Sequence, residues 1–136
     1  MRIVILGLLI VAGLFLGVGF VVAAIEPHLL FHPKETRLED CNLPKGVRQI
    51  DVLGERGLYT DGGGKGLLVF YHGNAQSACN WRFLGVNHVA KFGYDTLAME
   101  YPGFSGDPLG RAPGADTIRE MVARTHQWAE ARYQRV

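Results

Sequence analysis

Ile3 to Ile25 is an unbroken run of apolar residues and glycine, and no other feature restricts the fold of this chain so severely. A helix rises about 1.5 Å per residue, so the run spans roughly 34 Å, enough to cross a hydrocarbon layer of about 30 Å with some tilt. Residues 1–25 are therefore expected to form a single transmembrane anchor, with residues 3–25 in contact with membrane lipid. The alternative is a signal peptide cleaved near Val22-Ala23-Ala24, but the apolar core of such a peptide runs only about 7 to 15 residues. Gly13-x-x-x-Gly17 would let two helices approach closely, although such pairs are frequent by chance in Gly-rich membrane segments and plain lipid packing is the simpler account. The side of the membrane is not fixed by charge. Arg2 and the amino terminus precede the run, while Lys34 and Arg37 follow it, diluted by Glu26, Glu35, Glu39 and Asp40.

Beyond the anchor, 111 of the 136 residues remain, which limits the chain to one small domain. With Arg2 set aside, residues 26–136 carry 13 basic and 13 acidic side chains, so a nucleic-acid footprint is not expected. Two cysteines are too few for a disulfide scaffold, and 48% hydrophobic content is too high for disorder.

Residues 26–46 are polar, hold Pro27, Pro33 and Pro44, and follow no sustained period, which reads as a juxtamembrane linker. Val47, Ile50, Val52 and Leu53 suggest one strand and Gly57 to Thr60 a second, with a turn forced at Asp61-Gly62-Gly63-Gly64. Leu67-Leu68-Val69-Phe70-Tyr71 lacks alternation, the pattern of a strand covered on both faces by helices. A polar loop, His72 to Ser77, leads into a helix carrying Trp81, Phe83, Leu84, Val86, Val89, Ala90 and Phe92, which Gly93 can end as a left-handed cap. Thr96 to Tyr101 forms another strand, closed by Pro102-Gly103. After a Gly- and Pro-rich loop to Gly114, Thr117-x-x-Glu120 offers a capping box for a last helix. Ile118, Met121, Val122, Thr125, Trp128, Ala129 and Tyr133 line its apolar stripe. Two strand-then-helix units in series predict an α/β fold with a mostly parallel, right-handed sheet over residues 47–136.

In such sheets ligands bind beyond the carboxyl ends of the strands, which places His72-Gly73-Asn74-Ala75 at the functional edge. A glycine-containing turn entering a helix can aim N–H groups at a developing oxyanion; a plain tight turn with His72 bonded to nearby backbone is the equally simple alternative. Leu68-Val69-Phe70-Tyr71-His72-Gly73-Asn74-Ala75, followed by Glu100-Tyr101-Pro102-Gly103-Phe104, resembles the start of an α/β-hydrolase domain. The resemblance is to the membrane-anchored serine hydrolases whose pattern is HGNA after strand three and (D/E)Y-x-G-(Y/F) after strand four. It covers roughly residues 31–133 and implies hydrolysis of a carboxylic ester, thioester or lipid without a cofactor. It assigns the Asn74 N–H as an oxyanion donor, Gly73 as the turn glycine, and His72 and Ala75 as supporting residues.

That family also needs a G-x-S-x-G nucleophile elbow, an acid and a histidine, in that order, downstream of the matched region. The two serines, Ser77 and Ser105, occupy no such elbow: Asp107 stands where Ser105 would need its second glycine. Cys79 and Cys41 read as inert thiols, although an exported domain could join them. His28, His32, His88 and His126 read as solvated or capping, and His126 lacks a nucleophile even though Asp107 and Asp116 precede it. No metal-ligand spacing appears, and Gly62-Gly63-Gly64-Lys65 is only half a phosphate loop. No catalytic residue is assigned. The resemblance implies the amino-terminal half of a hydrolase, inactive by itself, in which strand five would begin just after Tyr133 to Val136. Without strand five, Leu67 to Tyr71 would expose an edge open to self-association and would leave the domain poorly soluble. A non-catalytic, membrane-anchored interaction module that completes its sheet with a partner is the second expectation.

Overall fold

The computed structural model describes residues 2–33 and 36–133. Met1, Lys34, Glu35 and residues 134–136 lie outside it, as do the side chains of residues 2–4, 6 and 26–29, including that of His28. The chain divides into two compact units, Met1–Leu30 and Phe31–Val136.

The first unit is a single helix, α1 (Arg2–Leu30). Within it the 19 residues Gly7–Ile25 are long and apolar enough to cross a membrane. The helix runs five residues past the expected boundary at Ile25. Pro27 contributes no N–H to the helical ladder, and the helix continues past it to Leu30.

The second unit is built on four strands: β1 (Val47–Val52), β2 (Glu55–Thr60), β3 (Leu67–Tyr71) and β4 (Asp95–Met99). They form one mixed sheet in the order β1-β2-β4-β3. β1 pairs antiparallel with β2 and β2 antiparallel with β4, while β3 and β4 are parallel. The α/β character thus holds, but the mostly parallel sheet does not, because the first two strands close as a hairpin. Leu53 and Gly54 both have positive φ, 54° and 86°, as a two-residue hairpin turn of matching twist demands. Leu53 accordingly belongs to the turn and not to the strand.

β4 is central and buried throughout, and its alternation feeds two cores. Leu97 and Met99 face Val52, Leu67, Met121, Trp128 and Ala129, so one face of the sheet is covered by α2 (Ala115–Glu130). Ala98 faces Leu38, Leu58, Ala78 and Cys79 on the other. That second cover consists of short 3-10 turns, Leu38–Asp40 and Ala78–Trp81, in place of a second full helix. β3 has no strand on its outer edge among the described residues, and Leu68 and Tyr71 are exposed. It is therefore less covered than its apolar run implies.

The predicted helix between β3 and β4 is a string of irregular turns: Ala78–Trp81, a π-turn at Gly85–Val89 and a 3-10 turn at Ala90–Phe92. The π-turn brings Gly85 against the sheet, where a Cβ would collide with the hydroxyls of Thr60 and Thr96. Gly93 ends the string in the left-handed region, as expected. α2 is capped at Gly114, so the predicted capping box is not formed. Thr117 lies within the first turn, its hydroxyl donating to Gly114 O at 3.0 Å, and Glu120 pairs with Arg124.

Candidate functional site

The loops that follow the parallel strands β3 and β4 meet around one carboxylate, that of Glu100. The strand expected over Thr96 to Tyr101 ends at Met99, which frees Glu100 to turn inward, where it is 2% exposed. Its Oε1 accepts from His72 Nε2 at 2.8 Å and from the Tyr101 N–H at 3.3 Å. Its Oε2 accepts from Ser105 Oγ at 2.9 Å and from the Ala78 N–H at 3.0 Å. One carboxylate thus ties the loop after β3, the turn following it and the loop after β4 into one unit.

His72 is buried at 3% exposure, and its Nδ1 lies 2.9 Å from Gly73 O. Its two ring nitrogens thus face one carboxylate oxygen and one backbone carbonyl. Tyr101 and Phe104 pack against the ring at centroid distances of 4.1 and 5.3 Å, closing it from water. Burial, followed by the charges of Tyr71 and Glu100, raises the Tyr101 hydroxyl above its ordinary range.

The turn carrying Gly73, Asn74 and Ala75 is exposed above this buried base. Gln76 closes it from both ends: its N–H donates to Gly73 O at 3.2 Å and its Oε1 accepts the Gly73 N–H at 3.1 Å. Ala75 sits at φ 58°, a left-handed conformation supported by its N–H bond to Asn74 Oδ1 at 3.0 Å. The same Asn74 oxygen accepts the His32 N–H at 2.9 Å, with His32 Nδ1 3.4 Å from Asn74 Nδ2. His32, read from sequence as solvated or capping, is exposed, but its backbone N–H is engaged. Its partner is 42 positions away, and no local pattern reports such a pairing.

The loop after β4 is held by an ionic cage that the sequence did not announce. Arg111 binds Glu55 through two contacts of 2.9 Å and Asp107 at 2.8 Å, and Arg124 adds a contact of 2.9 Å to Glu55. Glu55 is only 1% exposed, so the paired guanidinium groups are what make its charge tolerable. Burial pushes the Asp107 carboxyl up, but the Arg111 bond and the N–H groups of Gly103 and Leu109 outweigh it and hold it below the usual range. Arg56 donates to Phe104 O at 3.1 Å. Gly103 has φ 82°, and a Cβ there would strike Pro113, so the turn expected at Pro102-Gly103 requires glycine for both reasons.

Ser105 is fully buried at φ 49°, with its hydroxyl directed to Glu100 and not to a histidine. Ser77 is buried as the cap of the Ala78–Trp81 turn and bonded to Asn80. Cys41 and Cys79 are not thiols: they form a disulfide with a Cα–Cα distance of 5.8 Å. The spacing of 38 residues gave no reason to pair them; a shared wall of the second core does. His88 is exposed, and exposed His126 pairs with Glu130 on the surface of α2. Asp116 pairs with Arg119. Gly62 and Gly64 turn their N–H groups toward Asp95 Oδ1 at 2.8 and 3.0 Å, so the half phosphate loop serves a carboxylate of its own chain.

Chemically, the two loops offer an exposed turn on a buried, hydrogen-bonded base. Among the described residues no serine or cysteine lies beside a histidine able to take its proton, and no cluster of three or more potential metal ligands is present. In comparisons with known proteins, the chain matches no family model and no curated protein significantly.

Proposed function

We propose that this chain supplies the amino-terminal part of a membrane-anchored serine hydrolase of the α/β-hydrolase type, acting on a carboxylic ester, thioester or lipid. In this reading residues 7–25 cross the membrane once, and the turn at Gly73-Asn74-Ala75 is half of an oxyanion hole, with the Asn74 N–H as donor. The observation that carries the reading is the Glu100 junction. His72 and Ser105 from the two motif loops bind one buried carboxylate, which fixes the exposed turn at the carboxyl ends of β3 and β4. Rigid donors placed in advance are what oxyanion stabilisation requires, since a mobile turn would lose much of its effect to reorganisation. The pairing of β3 with β4 on one side, with no strand on its other edge among the described residues, also agrees with a strand-three position.

Hydrolysis needs a nucleophile that Ser77 and Ser105 do not provide, so the full chain in detergent should resist a fluorophosphonate label. Labelling of either serine would overturn their assignment as structural residues. The family reading is tested by the coding sequence beyond the Val136 codon. A strand followed by G-x-S-x-G within roughly 20 codons supports it, and a stop with no elbow in any frame overturns it.

The open β3 edge favours a second reading, an anchored module that binds a partner strand. Beside that edge, an apolar groove of about 260 Å³ is lined by Val69, Tyr71, Val122, Thr125, His126 and Ala129. Strand addition uses such an edge for backbone bonds and such a groove for side chains. A stable oligomer of the detergent-solubilised chain, broken by a proline in β3, would favour it; a strict monomer would count against it.

A further inference from the structure

We propose that Cys41 and Cys79 are a site of oxidative disulfide formation outside the reducing cytosol, and that the unit following α1 therefore lies on the oxidising side of the membrane. The inference rests on the reading of α1 as a membrane anchor. It also settles what charge leaves open, because Arg2 and the amino terminus on one flank are balanced by Lys34 and Arg37 on the other.

The chain has two cysteines, and both are in the bond. Each sits on a fixed backbone. Cys41 closes the Leu38–Asp40 turn by donating its N–H to Leu38 O at 3.2 Å, and Cys79 lies within Ala78–Trp81. Both turns pack on the same face of the sheet, against Leu58 and Ala98, which brings the Cα atoms to 5.8 Å, inside the range a disulfide spans. The bond joins the segment entering the domain to the turn that follows Gly73-Asn74-Ala75. Disulfides of this structural kind persist in exported compartments and are rare where glutathione and thioredoxin keep thiols reduced.

Cys79 is 8% exposed in the folded unit and Cys41 is partly buried beside it. The oxidant is an exported thiol–disulfide oxidoreductase carrying its own disulfide. One thiolate of the chain attacks that disulfide to give a mixed disulfide, and the second thiolate displaces the enzyme sulfur. The S–S bond is left in this chain, and the oxidoreductase departs as a dithiol with the two electrons and two protons.

The test uses the full chain with a carboxy-terminal epitope, made in a bacterium whose periplasm oxidises thiols. Cells are quenched in acid, free thiols are capped with a maleimide polymer with and without prior reduction, membranes are separated, and intact spheroplasts are treated with protease. The expected result is a membrane-bound chain with no cap before reduction and two after, whose epitope is removed from intact spheroplasts. Two caps without reductant would overturn the proposal, as would an epitope protected until lysis. An oxidised chain in the soluble fraction would overturn the anchor reading while leaving the compartment assignment standing. Cys41→Ser and Cys79→Ser should each accept one cap without reductant. Should either variant fail to fold, the capping pattern of the unaltered chain decides.

Discussion

Asp95 and Glu100 are buried carboxylates at the two ends of the same strand, and they are stabilised in different ways. Asp95 opens β4 and is held by neutral donors: the hydroxyls of Tyr59 and Tyr133 at 2.5 and 2.6 Å, and the N–H groups of Gly62 and Gly64. Glu100 follows the strand and is held by His72, Ser105 and two N–H groups. The first arrangement draws a turn and the segment just after α2 onto the sheet without any cation. The second uses an ionisable ring to join two loops at the edge where α/β sheets place their ligands. The contrast separates a carboxylate that joins a turn to the end of the chain's fold from one that joins two loops at the candidate site.

Glu100→Ala removes the acceptor common to His72 and Ser105 and strands both in a dry pocket. The expected loss is about 3–5 kcal/mol, in line with breaking a buried pair from one side. Urea denaturation of the full chain in mild detergent, followed by pulse proteolysis, reads it, and a loss below 1 kcal/mol would show that the junction does not hold the loops. Asp95→Asn should cost less, about 1–3 kcal/mol, because a neutral acceptor remains for some of the donors.

Asp95 also makes a pH prediction with a definite sign. Burial pushes its carboxyl up, but the bonds from Tyr133, Tyr59, Gly62 and Gly64 outweigh this and lower it below the usual range. The unfolded chain therefore takes up the proton first as pH falls below about 4. The stabilisation is complete above that point and is lost as pH drops through the lower folded value. Asp107, lowered in the same way, adds to the effect. Acid titration of the folded fraction should show a shallower limb in Asp95→Asn than in the unaltered chain; identical limbs would refute the assignment.

Tyr133→Phe removes one hydroxyl from Asp95 and should cost about 0.5–1.5 kcal/mol. The smallest effect is expected at His32. Its ring is exposed and its clearest bond to Asn74 runs through the backbone N–H, so His32→Ala should change stability by less than about 0.5 kcal/mol. A loss as large as that from Tyr133→Phe would mean that the His32 ring helps to hold the turn.

Much of the fold was legible where the signal was local. The apolar run marked α1, Gly and Asp clusters marked turns, and the alternating and continuous patterns located four strands and α2 to within a few residues. At the candidate site, the motif loops and their place after β3 and β4 could be read from order alone. The function of Glu100 could not, although an acidic residue closing an otherwise apolar strand was the available clue. Nor could the irregular crossover, because nothing near Gly85 in sequence reveals that Thr60 and Thr96 press against it.

The sequence by itself determined the long apolar helix, the element types and the absence of an elbow around Ser77 and Ser105, because each depends on neighbours a few residues apart. Tertiary structure alone decided the strand order, the antiparallel majority, the Cys41–Cys79 bond and the cage joining Glu55 to Arg111 across 56 positions. Those features depend on which surfaces become adjacent once β4 is buried on both faces. That adjacency arises from the packing of distant segments against a common core, which leaves no periodicity in the chain for a reader to find.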